Sequence, residues 1–409
     1  MKILGIMWEE NSTAALYIEG KIVACASEER FSREKNDERY PKRAIEYVLQ
    51  MGGVKAEELD HVAFTGKMWD VVHVLTRRYS TFSIADRLRE QHDYWYPLLY
   101  EKKDINYFDV FKDKLDFNQY PYEWQNVLDF TKNVGDYSQN RASTQEFFEQ
   151  FRRNLVSKHL GIPAEKVIFI DHHEAHAAYA YHSSPHNFKE SYLVLTADAW
   201  GDNLNATISI AKEGKLDRIA SSKDFRGAQL YRYVTQILGM KPDQDEYKVM
   251  GMAPYGKPKY YEPVRDIFMN MQQVEGLDFI YKERPSDMYF YFKDKLEGQR
   301  FDNIAAGLQA YIQDIVIEWT KNAVEKTGIK KIRFAGGIAM NVKAMMEIAK
   351  NLGVEIFVSS APSDESTAVG SIYVLANKLM SEKGESLEKI AQPWNDSYLG
   401  PDVNDAEVE

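Results

Sequence analysis

Two stretches of this chain, KILGIMWEENSTAALYIEGKIVACAS (residues 2–27) and YLVLTADAWGDNLNATISIAKEGKLDRIAS (residues 192–221), carry the same plan. Each opens with an apolar, β-rich strand, over residues 2–7 and 192–197. Each then breaks at a polar, acid-containing loop, residues 8–12 in the first and Asp198 to Asn203 in the second. A second strand follows (14–18 and 206–211), then a tight turn built on the letters EGK, then a third strand (22–27 and 216–221). One short hairpin is easily found by chance. Three elements in matched order and spacing point to an internal duplication, and two unrelated meanders are the weaker explanation. Two lobes of the same design, each with a polar loop after its first strand, predict an α/β protein that clamps a ligand between them. Backbone amides of such loops can cradle phosphate oxygens.

Working outward, the first lobe is expected over 1–190 and the second over 191–391. A helix over 41–51 follows the first meander, with a proline at its start. Residues 68–157 are dense in aromatics, among them Tyr94, Trp95, Tyr96, Tyr100, Tyr107, Phe108 and Phe111, and nearly lack glycine. This predicts a helical insertion whose aromatics pack, with stacking of a sugar-like acceptor as the lesser reading. Further on, Ile304, Leu308, Ile312, Ile315 and Trp319 share one face of an amphipathic helix. Strands are predicted at 332–335, running into Gly336-Gly337, and at 354–359, ending before a helix that starts near Asp364. From 392 to 409 the chain is a polar tail.

The bulk numbers limit the function classes. The 409 residues are 44% hydrophobic with a net charge of −11, which suits two or three well-cored lobes and argues against a nucleic-acid-coating surface. A local pocket can still oppose the global charge and hold an anion. The single cysteine, Cys25, removes any intrachain disulfide or zinc knuckle. The N-terminus lacks the pattern of a signal peptide, and no run of about 18 apolar residues suggests a membrane span. A cytoplasmic protein is expected.

The sharpest chemical signal is Asp171-His172-His173-Glu174-Ala175-His176, after an apolar strand and before an alanine-rich helix. His172 and His176 fall one helical turn apart, so both imidazoles can reach one metal ion. Glu174 does not sit where a zinc protease would need it. The plainer account is a helix N-terminus rich in caps, with incidental histidines. A two-histidine site usually wants a carboxylate, and Asp364 is the best candidate, though its ordinary role would be an N-cap. Gly336 and Gly337 allow close backbone approach to a ligand, and Asn341 can bond a ribose or base; a simple strand-to-helix turn is the alternative. Lys248 in EYKVMGMAPYG could meet a phosphate or carbamoyl oxygen, and Arg30 and Arg33 lie in the mixed-charge EERFSREKND; solvated surface cations are the bland reading of all three.

Taken together, EERFSREKND, DHHEAHAAYAYHSSP, DAWGDN, EYKVMGMAPYG, GGIAMN and SSAPSDESTAVGS resemble, in order and over about residues 1–400, the NodU/CmcH/TobZ-type carbamoyltransferases. The first half of that family is related to the TsaD-type tRNA-modification enzymes. The resemblance implies an ASKHA (actin-like) duplicated fold, with iron, or else zinc or manganese, held by His172, His176 and Asp364. It implies ATP or carbamoyl adenylate near Asp198, Gly201 and Asp202 and near Gly336, Gly337 and Asn341. Lys248, Arg30 and Arg33 are then the expected electrostatic helpers. In such enzymes a C-terminal YrdC-like domain makes carbamoyl adenylate from carbamoyl phosphate and ATP, and the TsaD-like half passes the carbamoyl group to a small-molecule hydroxyl. This chain departs from the pattern twice. Its first loop reads Glu10-Asn11-Ser12 where the family has a His-Asp-Ser type sequence, and it ends where the family would enter the YrdC-like domain. That domain is therefore expected in trans or from a longer chain. A homodimer is an open assembly state. The competing functions are a tRNA threonylcarbamoyl transferase and a non-catalytic ATP-binding regulator.

Overall fold

The computed structural model describes residues 1–68, 76–77, 80, 82–115, 118, 125, 141–391 and 397–401. Two five-stranded sheets form its frame. The first contains β1 (Lys2–Met7), β2 (Thr13–Ile18), β3 (Lys21–Ser27), β4 (His61–Thr65) and β5 (Val167–Ile170), in the order β3-β2-β1-β4-β5. The second contains β6 (Tyr192–Gly201), β7 (Leu204–Lys212) and β8 (Lys215–Ser222). A small hairpin of β9 (Gln272–Glu275) and β10 (Asp278–Tyr281) intervenes before β11 (Lys331–Ala335) and β12 (Glu355–Val358) complete the sheet as β12-β11-β6-β7-β8. Read from the meander edge, the two orders are identical. Each has an antiparallel meander of three strands and then two strands parallel to the first. This is the duplicated actin-like fold. The EGK turns match at the backbone as well: Glu19 and Gly20, and Glu213 and Gly214, all have positive φ. Both are primed turns, whose twist suits the flanking strands and whose second position favours glycine.

One loop assignment needs correcting. The Asp198–Asn203 stretch is not a free polar loop. β6 continues to Gly201 through a register shift, and only Asp202 and Asn203 turn the chain, both in left-handed conformation. The extra residues of a bulge re-aim side chains, and here they aim Asp198.

The His172–His182 helix is buried on all sides, with Glu174 its one residue outside the buried set. Ala175, Ala178 and Tyr179 pack with the first sheet and the Thr367–Glu382 helix, while Ala177, Ala180 and Tyr181 pack on Tyr192, Val194 and Ala335 of the second sheet. A helix squeezed between two sheets needs small residues all round, which accounts for its alanines. The Thr367–Glu382 helix, assigned by sequence to the second lobe, instead packs on Ile3, Ala15 and Ala63 of the first sheet. The two sheets separate between β5 and β6, and the lobes are joined through their helices.

Between β4 and β5 the described part of the insertion is helical, including Ile84–Arg89, Tyr107–Phe111 and Arg141–Leu160. Tyr94, Tyr107 and Phe111 are buried in the first lobe's core, whereas Tyr96 and Tyr100 are exposed. The rest of 68–157, and most of the 392–409 tail, lie outside the described residues.

Candidate metal centre

β5 delivers the chain to Asp171, whose carboxylate caps the next helix by accepting from the Glu174 amide at 2.8 Å. Arg218 holds the same carboxylate at 2.9 Å. The cap fixes the first turn, so His172 and His176 project one above the other with their Nε2 atoms 3.1 Å apart. Asp364, in the turn that opens the Thr367–Glu382 helix, places Oδ1 3.3 Å from His176 Nε2 and 3.5 Å from His172 Nε2. Asp198 brings Oδ2 to 3.1 Å from His176 Nε2. One ligand atom from each of the four lies within 4.8 Å of the others. Bonds of about 2.0–2.2 Å to one ion would separate neighbouring ligand atoms by about 3.0–3.5 Å. The donor set therefore fits a divalent cation, and nitrogen-oxygen donors of this kind suit iron, zinc or manganese.

Asp198 is the residue whose role changes most. Sequence reasoning placed it with a nucleotide; the β6 bulge turns it into the cluster, where the Gly337 amide donates to it at 3.0 Å. A buried carboxylate beside two histidines was the available signal, but nothing local in DAWGDN shows the bulge. Glu9 was also missed. Its Oε2 lies 3.5 Å from His172 Nδ1, on the face opposite the cluster, a placement that orients a ligating imidazole.

Burial disfavours both charged carboxylates, yet the two respond in opposite directions. The His176 hydrogen bond and charge outweigh burial at Asp198 and hold it well below the usual carboxylate range. At Asp364, burial and then the neighbouring Asp198 charge push the carboxyl well above that range. His172 is penalised by burial, but Asp364 and Glu9 outweigh this and raise its pKa. His173 is different. Burial, with His172 and His176 beside it, lowers it to about 3, and its Nδ1 meets Thr196 Oγ1 at 2.8 Å. It is a neutral core histidine.

The remaining expected nucleotide residues mostly serve the scaffold. Gly201 has no Cβ because one there would sit 2.2 Å from the His172 ring. Asp202 accepts from the Lys67 and Met68 amides (2.8 and 2.7 Å) and from the His172 amide (2.8 Å), clamping the β6–β7 hairpin to the first lobe. Gly336 has φ 93, and a Cβ there would meet Ala197 O at 2.4 Å. Asn341 caps the Val342–Leu352 helix and pairs with Gln309 and Tyr231 in a buried network. Both Asp202 oxygens accept backbone amides and Asn341 bonds within its buried network, so the bonds that the structure shows for these two serve the scaffold. Lys248 is half-exposed and binds Asp245 at 2.7 Å, Arg30 is exposed beside Glu29, and Arg33 is exposed at a helix end in left-handed conformation. Among the described residues, none of the three bonds to the cluster. Lys248 lies three residues beyond Asp245 on one helix face, so a local ion pair takes it.

The fold and site define a class: an actin-like duplicated domain with a His/Asp cluster where its lobes meet. Residues 2–373 match the family described as Carbamoyltransferase N-terminus, and the chain belongs to that family. Nodulation protein NolNO of Sinorhizobium fredii is 26% identical over 98% of this chain and 50% of that protein. Nodulation protein NolO of Bradyrhizobium diazoefficiens is 28% identical over 58% of this chain and 43% of that protein. A tRNA N6-adenosine threonylcarbamoyltransferase of Salinibacter ruber is 20% identical over 47% of this chain and 57% of that protein. The chain spans between half and two thirds of the curated relatives that it matches over nearly its whole length. Among the described residues, no helix is long and apolar enough to cross a membrane.

Proposed function

We propose that this chain carries the acceptor half of an O-carbamoyl transfer, from carbamoyl adenylate to a hydroxyl group of a small molecule such as a sugar: the acceptor oxygen bonds to the carbamoyl carbon, the bond from that carbon to the AMP oxygen breaks, AMP leaves, and the hydroxyl proton is released. The observation that carries the proposal is the convergence of His172, His176, Asp198 and Asp364 in a family of carbamoyltransferases. We assign these four as ligands of a divalent ion, with iron preferred. Held by these four residues, such an ion would supply Lewis-acid polarisation of the carbamoyl carbonyl or orientation of the acceptor oxygen.

The chain's own residues do the positioning. Glu9 stands 3.5 Å from the outer nitrogen of His172, and Asp171 sets the helix turn that places the two imidazoles edge to face, one turn apart. Asp202 ties the hairpin bearing Asp198 to the helix bearing His172, so donors from both lobes stay in register. The turn at Gly336 and Gly337 brings backbone close to Asp198 and is the natural place for the adenylate to approach. A YrdC-like domain, in trans or on a longer chain, supplies the adenylate in this reading.

The test is direct. Purified chain, loaded with Fe2+ and given carbamoyl adenylate and a panel of hydroxylated acceptors, is expected to release carbamate product, and His176→Ala to abolish it. Absence of product across the panel, with a YrdC-like domain also added, would overturn the reading. The tRNA-directed alternative draws on the Salinibacter ruber relative; tRNA binding that weakens steeply with salt would favour it, against the net charge of −11.

A further inference from the structure

Apart from the His/Asp cluster, a charged chamber of about 220 Å³ opens between the lobes. Residues 34–38 after β3, the insertion residues Arg77, Phe82 and Arg87, and residues 241–244 of the second lobe line it. Its walls are stitched together. Asn36 Nδ2 donates to Asp243 O at 2.7 Å, and Lys35 and Gln244 exchange side-chain-to-backbone bonds of 3.2 Å each. Asn36 and Asp243 both adopt positive φ, so this loop pairing is a formed feature rather than a chance contact.

The chamber's cations outnumber the carboxylates free to match them. Asp243 alone is shared by Arg87 at 3.0 Å and Arg232 at 2.9 Å, with Arg77 and Lys241 adding to the field on it. On the facing wall Glu34 and Asp37 are already matched to Arg39, at 3.0 Å and 2.8 Å, and Glu38 stands beside them. Glu90 accepts from the Tyr107 hydroxyl and lies 3.9 Å from Arg77. Burial, then the Asp243 charge, raises Glu246 to about 7, so it carries only part of a negative charge near neutral pH. Arg87 is 5% exposed, and its Nε and Nη1 have no hydrogen-bond partner among the described residues. Leaving buried guanidinium nitrogens unpaired costs more than leaving a neutral group so.

We infer that this chamber is a subsite for an anionic group, a carboxylate or a phosphate, carried by the hydroxyl acceptor and bound by Arg87 with Arg77 and Lys241. The inference rests on the acceptor reading above for the source of the anion. The chamber's size favours that source over the donor: pockets for drug-sized ligands run from about 300 Å³ upward, so a small acid group fits here and an adenylate does not. Its location suits an acceptor that reaches the cluster. The loop over residues 8–12 runs between the two: Glu9 lies 3.5 Å from His172 Nδ1, and Ser12 N donates to Asp37 O of the chamber wall at 2.8 Å.

Inorganic phosphate and acetate, titrated calorimetrically into the full chain, should bind saturably. Arg87→Gln is expected to weaken that binding by about tenfold or more, with Arg87→Lys partly restoring it. Equal affinity in wild type and Arg87→Gln overturns the subsite; if Arg87→Gln does not fold, Lys241→Gln carries the same comparison. A second arm uses matched acceptors, glucose against glucuronate and glucose 6-phosphate, with carbamoyl adenylate supplied. A rise in KM confined to the acidic acceptors in Arg87→Gln supports the acceptor as source, whereas a rise in KM for carbamoyl adenylate overturns it. Failure of every acceptor to react would count against the transfer reading alone, because the phosphate titration needs no turnover.

Discussion

Two carboxylates and two imidazoles within 4.8 Å of one another, buried at His172, His176 and Asp198 and partly buried at Asp364, are costly to assemble unless a positive charge sits among them. Two unit charges about 4 Å apart repel by about 4 kcal/mol at the effective dielectric near a protein surface. The opposite pulls on Asp198 and Asp364 show that repulsion: one keeps its charge and the other is driven toward its proton. A divalent ion relieves both. Purified protein is therefore expected to hold about one equivalent of metal, and His176→Ala and Asp198→Asn to lose it. Glu9→Gln should retain the stoichiometry but weaken affinity by about 10–100-fold, since it only orients His172. Elemental analysis and chelator competition check this; full metal content in Asp198→Asn would remove Asp198 from the ligand set. His172 and His176 were legible as a pair because helical spacing is local. Asp198 was visible only as an acid in a loop, since the bulge that aims it depends on pairing with β7.

The element that holds the site together is a helix crossing. The His172–His182 helix and the Thr367–Glu382 helix touch at Ala175 and Gly370, where a Cβ on Gly370 would lie 1.9 Å from Ala175 O. One helix carries both histidines and the other begins just after Asp364. Gly370→Ala must force the helices apart, with a stability loss of about 1–3 kcal/mol and weaker metal binding because Asp364 moves from the histidine pair. Gly251, helical and with nothing within 4 Å of a Cβ, is the control: Gly251→Ala is expected to be neutral or stabilising by up to about 1 kcal/mol. Denaturant melts with and without metal separate the two effects. Equal behaviour of the two variants would mean that the crossing does not position the ligands. Element types along the chain follow from periodicity and turn chemistry, and so β1, β2 and the EGK turns were readable. The packing partner of the Thr367–Glu382 helix was not, because an apolar face does not name the surface that it meets.

For the whole molecule, the cluster draws donors from both halves of the duplication: histidines from the helix after β5, Asp198 from β6, and Asp364 from beyond β12. An ion bound there would thus act as a cross-link between lobes that already share a buried central helix. An ion that binds the native state alone, at 100 times its Kd, stabilises it by about 2.7 kcal/mol. Chelation is expected to lower Tm by a few degrees and to raise hydrogen exchange on both sides of the cleft, at Lys67–Met68 as well as around β6 and β7. A change confined to the His172–His182 helix would show that the ion does not couple the lobes. The inter-lobe chamber around Arg87 belongs to this scale too, since three distant segments build it and none carries a local signature.

By itself the sequence determined the duplication, the strand-turn-strand plan of each lobe, the histidine pair and the family likeness, because each of these is written in residues a few positions apart. Tertiary structure alone decided that Asp198 joins the two histidines and Asp364, that Asp202 and Asn341 bond within the scaffold, that Lys248, Arg30 and Arg33 stand away from the cluster, and that Arg77, Arg87 and Lys241 share a chamber. Those outcomes depend on strand pairing, helix crossing and charge neutralisation between segments far apart in the chain, and a linear pattern holds no record of such distances.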